Sequence, residues 1–142
     1  MPDQPILITA FFYGLFMDEA LLREIGLNPL ERKQAFAPGY GLRIGQRATM
    51  EKSAQEQCHG ILFSMTAAEI EQLYSSDSVA DYISQTIQVV NVNGEKMNVA
   101  CYLLPMEKIT GSNPDYARNL AIAAREANLP ESSIREIESW ID

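Results

Sequence analysis

The sequence predicts an α+β fold: a small mixed, mainly antiparallel, barrel-like sheet with a few helices packed on it. Three features predict it. An apolar run at residues 5–12 stops at Tyr13-Gly14 and gives way to helical spacing. Two strand-like runs, 85–92 and 96–104, flank Asn93-Gly94, the dipeptide best suited to a two-residue hairpin turn. Beyond Pro105 the apolar period becomes helical to the end of the chain.

Taken in order, residues 5–12 read as a buried strand because they are apolar almost throughout. Residues 18–25 form a short helix that Gly26 closes, since glycine adopts the left-handed cap without steric cost. Residues 39–45 and 60–64 are the next strands. The second leads into Thr66-Ala-Ala-Glu69, a capping box that starts a helix ending near Tyr74. After the hairpin, Pro114 suits a first helical position, because its missing N–H needs no partner there. That helix runs to about Ala127, and Asn128-Leu129-Pro130 separates it from a last amphipathic helix carrying Ile134, Ile137 and Ile141.

At 142 residues, the chain is expected to form a single domain over 1–142, large enough for a core without metal or disulfide support. Apolar residues are 46% and charged residues 21%, values of a globular protein rather than a disordered one. No basic leader with an apolar core and no run of about 18 apolar residues occurs, so a cytoplasmic location and no membrane partner are expected. The net charge of −8 disfavours nucleic acid and anionic surfaces. Arg32, Lys33, Arg43, Arg47 and Lys52 nevertheless cluster in sequence with one acid, Glu51; they form either a receiving patch for a small anion or a solvated face. Cys58 and Cys101 make no CxxC motif and His59 is the only histidine. The cysteines read as reduced core residues, His59 as packing, and no metal or cofactor is expected.

Two segments carry the chemistry. Where the first strand stops at Gly14 and a helix begins near Asp18, backbone N–H groups have no partner within the secondary structure. Such groups attract a carboxylate or phosphate, and Gly14, free to take a positive φ and lacking Cβ, allows close approach. The alternative is a tight connection with no ligand. In residues 73–82, a helix end is followed by Asp77 and then Tyr82: a carboxylate for general-base work or, equally, a turn-former between Ser76 and Ser78.

In sequence order these segments resemble the gamma-glutamylcyclotransferase-like (AIG2-like) family. The family's Tyr-Gly-Ser-type turn is echoed by Tyr13-Gly14-Leu15-Phe16-Met17. Its Gly-hydrophobic strand, helix and Leu-Asp-x-x-Glu-Gly segment correspond to Gly60-Ile-Leu-Phe and Leu73-Tyr-Ser-Ser-Asp77-Ser, with Tyr82 after it. Pro114-Asp-Tyr116, a helix and Asn128-Leu129-Pro130 match the family's closing motifs. The resemblance implies cyclisation of a γ-glutamyl amine or peptide to 5-oxoproline and free amine, without a cofactor. It also implies a turn from Tyr13 through Gly14 and Leu15 to Phe16 that holds the substrate carboxylate, Asp77 as base, and Tyr82 and Tyr116 as pocket residues.

The chain departs from the family at these positions. Leu15 replaces a serine and keeps only its backbone N–H. Asp77 replaces a glutamate, retracting the carboxylate by about one C–C bond, roughly 1.5 Å. A misplacement on the order of 1 Å can cost about 100-fold in rate. Asp81, four residues on, is a second candidate base or a like charge that lifts the pKa of Asp77. The alternative function is a non-catalytic member of the fold that binds a small carboxylate. A third is a homo-oligomeric or partner-binding domain, with a filled pocket and an exposed apolar patch around Trp140 and Ile141.

Overall fold

A computed structural model describes residues 6–75 and 79–141 of the chain. Five strands, β1 (Leu7–Phe12), β2 (Leu30–Ile44), β3 (Ala48–Thr66), β4 (Ile83–Asn91) and β5 (Lys96–Leu103), form a closed barrel in the order β1-β3-β2-β4-β5. All neighbours are antiparallel except β1 and β5, whose parallel pairing at Ala10↔Ala100 and Phe11↔Cys101 closes the sheet. Closure removes the free edges that an open sheet of this size would expose.

The long β2–β3 hairpin differs most from expectation. Strand spacing picks out only 39–45 and 60–64, whereas the strands run for 15 and 19 residues. The added length includes exposed Glu31, Arg32 and Lys33 and the polar stretch 53–57, where no apolar alternation marks a strand; the ladder is interrupted between Leu30 and Lys33 and between Pro38 and Tyr40, and the paired segments on either side carry the strands across these breaks. Between Pro38↔Gln57 and Tyr40↔Lys52 the ladder breaks, with Gly39, at φ 79°, facing residues 53–56. Beside the break, Arg43 donates to Glu56 at 2.8 Å and Glu51 at 3.2 Å, and any Cβ on Gly41 would collide with that ion pair.

The β4–β5 turn is also longer than the expected two-residue form. Asn91 and Glu95 close it through Asn91 N–H to Glu95 C=O at 2.9 Å, and only Gly94, at φ 81°, is left-handed. Asn91 supplies the rest of the turn: its side-chain oxygen accepts from the N–H groups of Asn93 and Glu95.

Four helices pack on the barrel: α1 (Glu19–Glu24), α2 (Ala67–Leu73), α3 (Pro114–Glu126) and α4 (Glu131–Glu138). Asp18 caps α1 by accepting from Ala20 N–H. The Thr66–Glu69 capping box starts α2, and the Glu69 carboxylate also accepts from Asn28 N–H at 2.7 Å. Helix α3 begins with Pro114, is capped by Asn113, and buries Ala117, Leu120, Ala121 and Ala124. Small residues on this face let α3 approach the 3₁₀ turn at Leu15–Met17 and α4 closely. Past its end Asn128 takes φ 60°, and Gln34 of β2 donates to the carbonyls of Ala127 and Asn128. Phe11, Ile61, Leu62, Phe63 and Met65 are buried almost completely in the core, with Met17 and Leu120 beside them. Trp140 and Ile141 pack half-buried against that core, so the patch expected around them is absent. Among the described residues, no helix is long and apolar enough to cross a membrane.

Candidate functional site

At the end of β1 the chain leaves the barrel through Tyr13 and Gly14 into the 3₁₀ turn Leu15–Met17, and a cavity of about 280 Å³ opens beside it. Within the turn, Met17 N–H bonds Gly14 C=O and Asp18 N–H bonds Leu15 C=O, both at 3.0 Å. The N–H groups of Leu15 and Phe16 stand outside that ladder, as the first donors of a helical turn do. Gly14 does not use its freedom to take a positive φ: the angle is −108°. What the position requires is a missing Cβ, because one would lie 2.8 Å from the Tyr116 hydroxyl.

Tyr116 comes from the first turn of α3, where its N–H bonds the Asn113 cap at 3.0 Å. Its buried hydroxyl meets the backbone N–H of Leu15, and burial pushes the phenol far above its ordinary range. Tyr82 enters from the turn at 79–82 and donates to Ala48 C=O at 2.6 Å; burial, partly offset by Arg47, pushes its phenol up to about 12. Tyr13 is buried and donates to Tyr102 C=O at 2.8 Å, tying β1 to β5. Tyr13, Gly14, Leu15, Phe16, Tyr82 and Tyr116, gathered from three distant segments, all border the one cavity.

Asp77 lies outside the described residues, together with Ser76 and Ser78. The nearest described residues bordering the cavity on either side of it are Tyr74 and Val79. Asp81 is described, and it is unsuited to act as a second base. Arg47 donates to both its oxygens, at 2.6 and 3.0 Å, and Lys108 stands 3.5 Å away. The Arg47 hydrogen bonds hold the Asp81 carboxyl at about 2, so near neutrality it is a paired anion with little basicity.

The basic cluster therefore does not act as one patch. Arg43 is engaged by Glu51 and Glu56, Arg32, Lys33 and Lys52 are exposed, and Arg47 alone of the five borders the cavity, its guanidinium 5.9 Å from the Tyr82 ring centre.

Sequence reasoning missed Tyr74, which sits at the C-terminus of α2 and looks like a helix end. Its ring stacks on Tyr102 at 3.9 Å and 13°, and meets the edge of Phe16 at 5.7 Å and 87°. The only signal was its place three residues before Asp77. His59 packs on Phe36 at 5.2 Å, away from the cavity, and Cys58 and Cys101 are buried thiols outside any disulfide.

A sequence model of the AIG2-like family matches residues 57–137, more than half of the chain. No protein of curated function matches the sequence. Several solved structures share the fold. A gamma-glutamyl cyclotransferase superposes with a TM-score of 0.75 at 15% identity, covering 95% of this chain and 88% of that one. YkqA from Bacillus subtilis gives 0.77 at 20%, covering 95% of this chain and 54% of that one. A yeast gamma-glutamyl cyclotransferase specific to glutathione gives 0.64 at 12%, covering 95% of each. At these identities the likeness is one of fold.

Proposed function

The chain belongs to the AIG2-like family and has the gamma-glutamylcyclotransferase fold, and from that premise we propose that it cyclises a γ-glutamyl amine or peptide to 5-oxoproline with release of the free amine. The observation that carries the reading is the convergence of the Tyr13–Phe16 turn, Tyr82 and Tyr116 on one cavity, bordered also by the residues on either side of the Asp77 segment.

In this reading the α-carboxylate of the substrate lies on the N–H of Phe16 and on the hydroxyl of Tyr116. That hydroxyl accepts from the Leu15 N–H, donates its own proton to the carboxylate and replaces the hydroxyl absent at Leu15. Asp77 takes a proton from the α-ammonium. The freed amine attacks the γ-carbonyl carbon, the C–N bond to the leaving amine breaks, and Asp77 returns the proton to the departing nitrogen; the second proton on the attacking nitrogen is lost to the released amine or to solvent, which leaves the neutral lactam N–H. Nucleophile and electrophile are already joined, so the protein has mainly to hold a cyclisation-ready conformer and move protons. An unperturbed Asp titrates near 3.9, so efficient proton abstraction near neutrality requires a raised value.

Release of 5-oxoproline from γ-glutamyl amino acids, γ-glutamyl amines and glutathione tests the reading. At least one substrate should turn over, and Asp77→Asn should lower its kcat/KM by about 100-fold or more, the scale of lost general-base catalysis. Retained turnover in Asp77→Asn would remove Asp77 from the mechanism. No turnover by folded protein, with 5-oxoproline still bound, would favour the carboxylate-binding alternative.

A further inference from the structure

The cavity wall also bears on what leaves. Apart from Gly14 and Arg47, every described residue bordering the cavity is aromatic or aliphatic. Three of the tyrosines direct their hydroxyls at the protein: Tyr13 to Tyr102 C=O, Tyr82 to Ala48 C=O, and Tyr116 to the Leu15 backbone. The surface beyond the Gly14–Leu15 turn is therefore mostly ring and methyl carbon. Tyr74 is central to it. Tyr102, stacked on Tyr74 at 3.9 Å, does not border the cavity, so the pair forms a braced wall with Tyr74 in front; Phe16 meets it edge-on and Tyr82 lies 6.1 Å away.

Charge points the same way. A peptide or amino-acid leaving group would bring its own carboxylate. Among the described residues, the one cationic side chain bordering the cavity, Arg47, is in a two-point pair with Asp81, which neutralises much of its pull on a second anion. A cationic amine would meet the like charge of the Arg47 guanidinium. A neutral, apolar or aromatic leaving group meets no such penalty and gains from burial and from edge or stacked ring contacts.

Resting on the cyclotransferase reading above, we propose that the substrate is a γ-glutamyl conjugate of a neutral aromatic amine, and that Tyr74 is the residue that sets this specificity. The α-amine nitrogen forms the new C–N bond, the old C–N bond breaks, the aromatic amine departs with the proton returned to its nitrogen, and the second proton lost by the attacking nitrogen goes to the released amine or to solvent.

The probes are γ-glutamyl benzylamide, γ-glutamyl methylamide and glutathione, each measured by calorimetric binding and by 5-oxoproline release. The benzylamide should bind at least about tenfold more tightly than the methylamide, on the scale of a buried ring, and should exceed glutathione in kcat/KM. Tyr74→Phe should keep the benzylamide-to-methylamide ratio, and Tyr74→Ser should bring it close to one. That ratio cancels a general loss of folding or chemistry, which would lower both probes together. Equal binding of the two amides by wild-type protein, a preference for glutathione, or an unchanged ratio in folded Tyr74→Ser would overturn the proposal. If no probe turns over but the binding ratio and its dependence on Tyr74 hold, the aromatic subsite stands and the cyclisation reading fails.

Discussion

Gly14 and Tyr116 occupy each other's space. A methyl group at position 14 would stand 2.8 Å from the phenolic oxygen, and the half-buried ring behind that oxygen is held in the first turn of α3. Gly14→Ala should therefore cost about 1–3 kcal/mol through overpacking, and should weaken binding of 5-oxoproline because the hydroxyl must leave the Leu15 N–H. Urea denaturation and calorimetry read the two effects separately; unchanged stability would show that the ring yields freely. Thr49 is the other residue with a disproportionate role. Fully buried, its hydroxyl accepts from Leu104 N–H at 2.9 Å and donates to Leu104 C=O at 2.8 Å, pinning β3 to the segment after β5. Thr49→Val keeps the shape but leaves both Leu104 groups buried without that partner, and should lower the unfolding free energy by about 1–3 kcal/mol. Of these residues, Gly14 and Tyr116 were legible in the sequence as parts of motifs. Thr49 was not, because nothing in a strand sequence distinguishes a buried threonine from the exposed ones strands commonly carry.

Between elements, the Arg47–Asp81 pair ties the β2–β3 turn to the turn before β4, one on either side of Tyr82. Because the folded-state pKa of Asp81 is depressed to about 2 from 3.8, the stability it contributes is complete above 3.8 and is lost as pH falls through about 2. Urea midpoints compared at about pH 5 and about pH 2 should show a smaller acid loss in Asp81→Asn than in wild type. An equal loss would place the acid sensitivity elsewhere. Helix α3 depends on its ends in a similar way. Asn113 caps its start by accepting from Tyr116 N–H, and the same residue thereby sets the height of the Tyr116 ring. Asn113→Ala should cost about 1 kcal/mol and should also weaken 5-oxoproline binding, whereas a cap with a purely local role would leave binding unchanged. The helix starts and stops were readable because Pro114, Asn128 and the Thr66–Glu69 box act within a few residues of the backbone they organise. The lengths of β2 and β3 were not, since the polar residues at the register breaks carry no apolar alternation and only the pairing on either side of them joins the segments into single strands.

For the whole molecule, closure rests on a short parallel seam between β1 and β5, where Ala10 faces Ala100 and Phe11 faces Cys101. Phe11 is 1% exposed and belongs both to the core and to the cavity wall. Phe11→Ala should cost about 3–5 kcal/mol, and hydrogen exchange in the variant should accelerate in β5 as well as in β1. Acceleration confined to β1 would mean that the seam does not couple the two strands. By itself the sequence determined the α+β class, the order of the elements, the helix caps and the turn that opens the site, because each depends on interactions within a few residues. It also carried Tyr82 and Tyr116 as isolated tyrosines in recognisable motifs. Only the tertiary structure decided that these residues border one cavity, that Asp81 is committed to Arg47, and that Tyr74 is braced into the wall by Tyr102. The two pairings join residues 34 and 28 positions apart, and such contacts are set by how the strands register around the barrel, which no local spacing encodes.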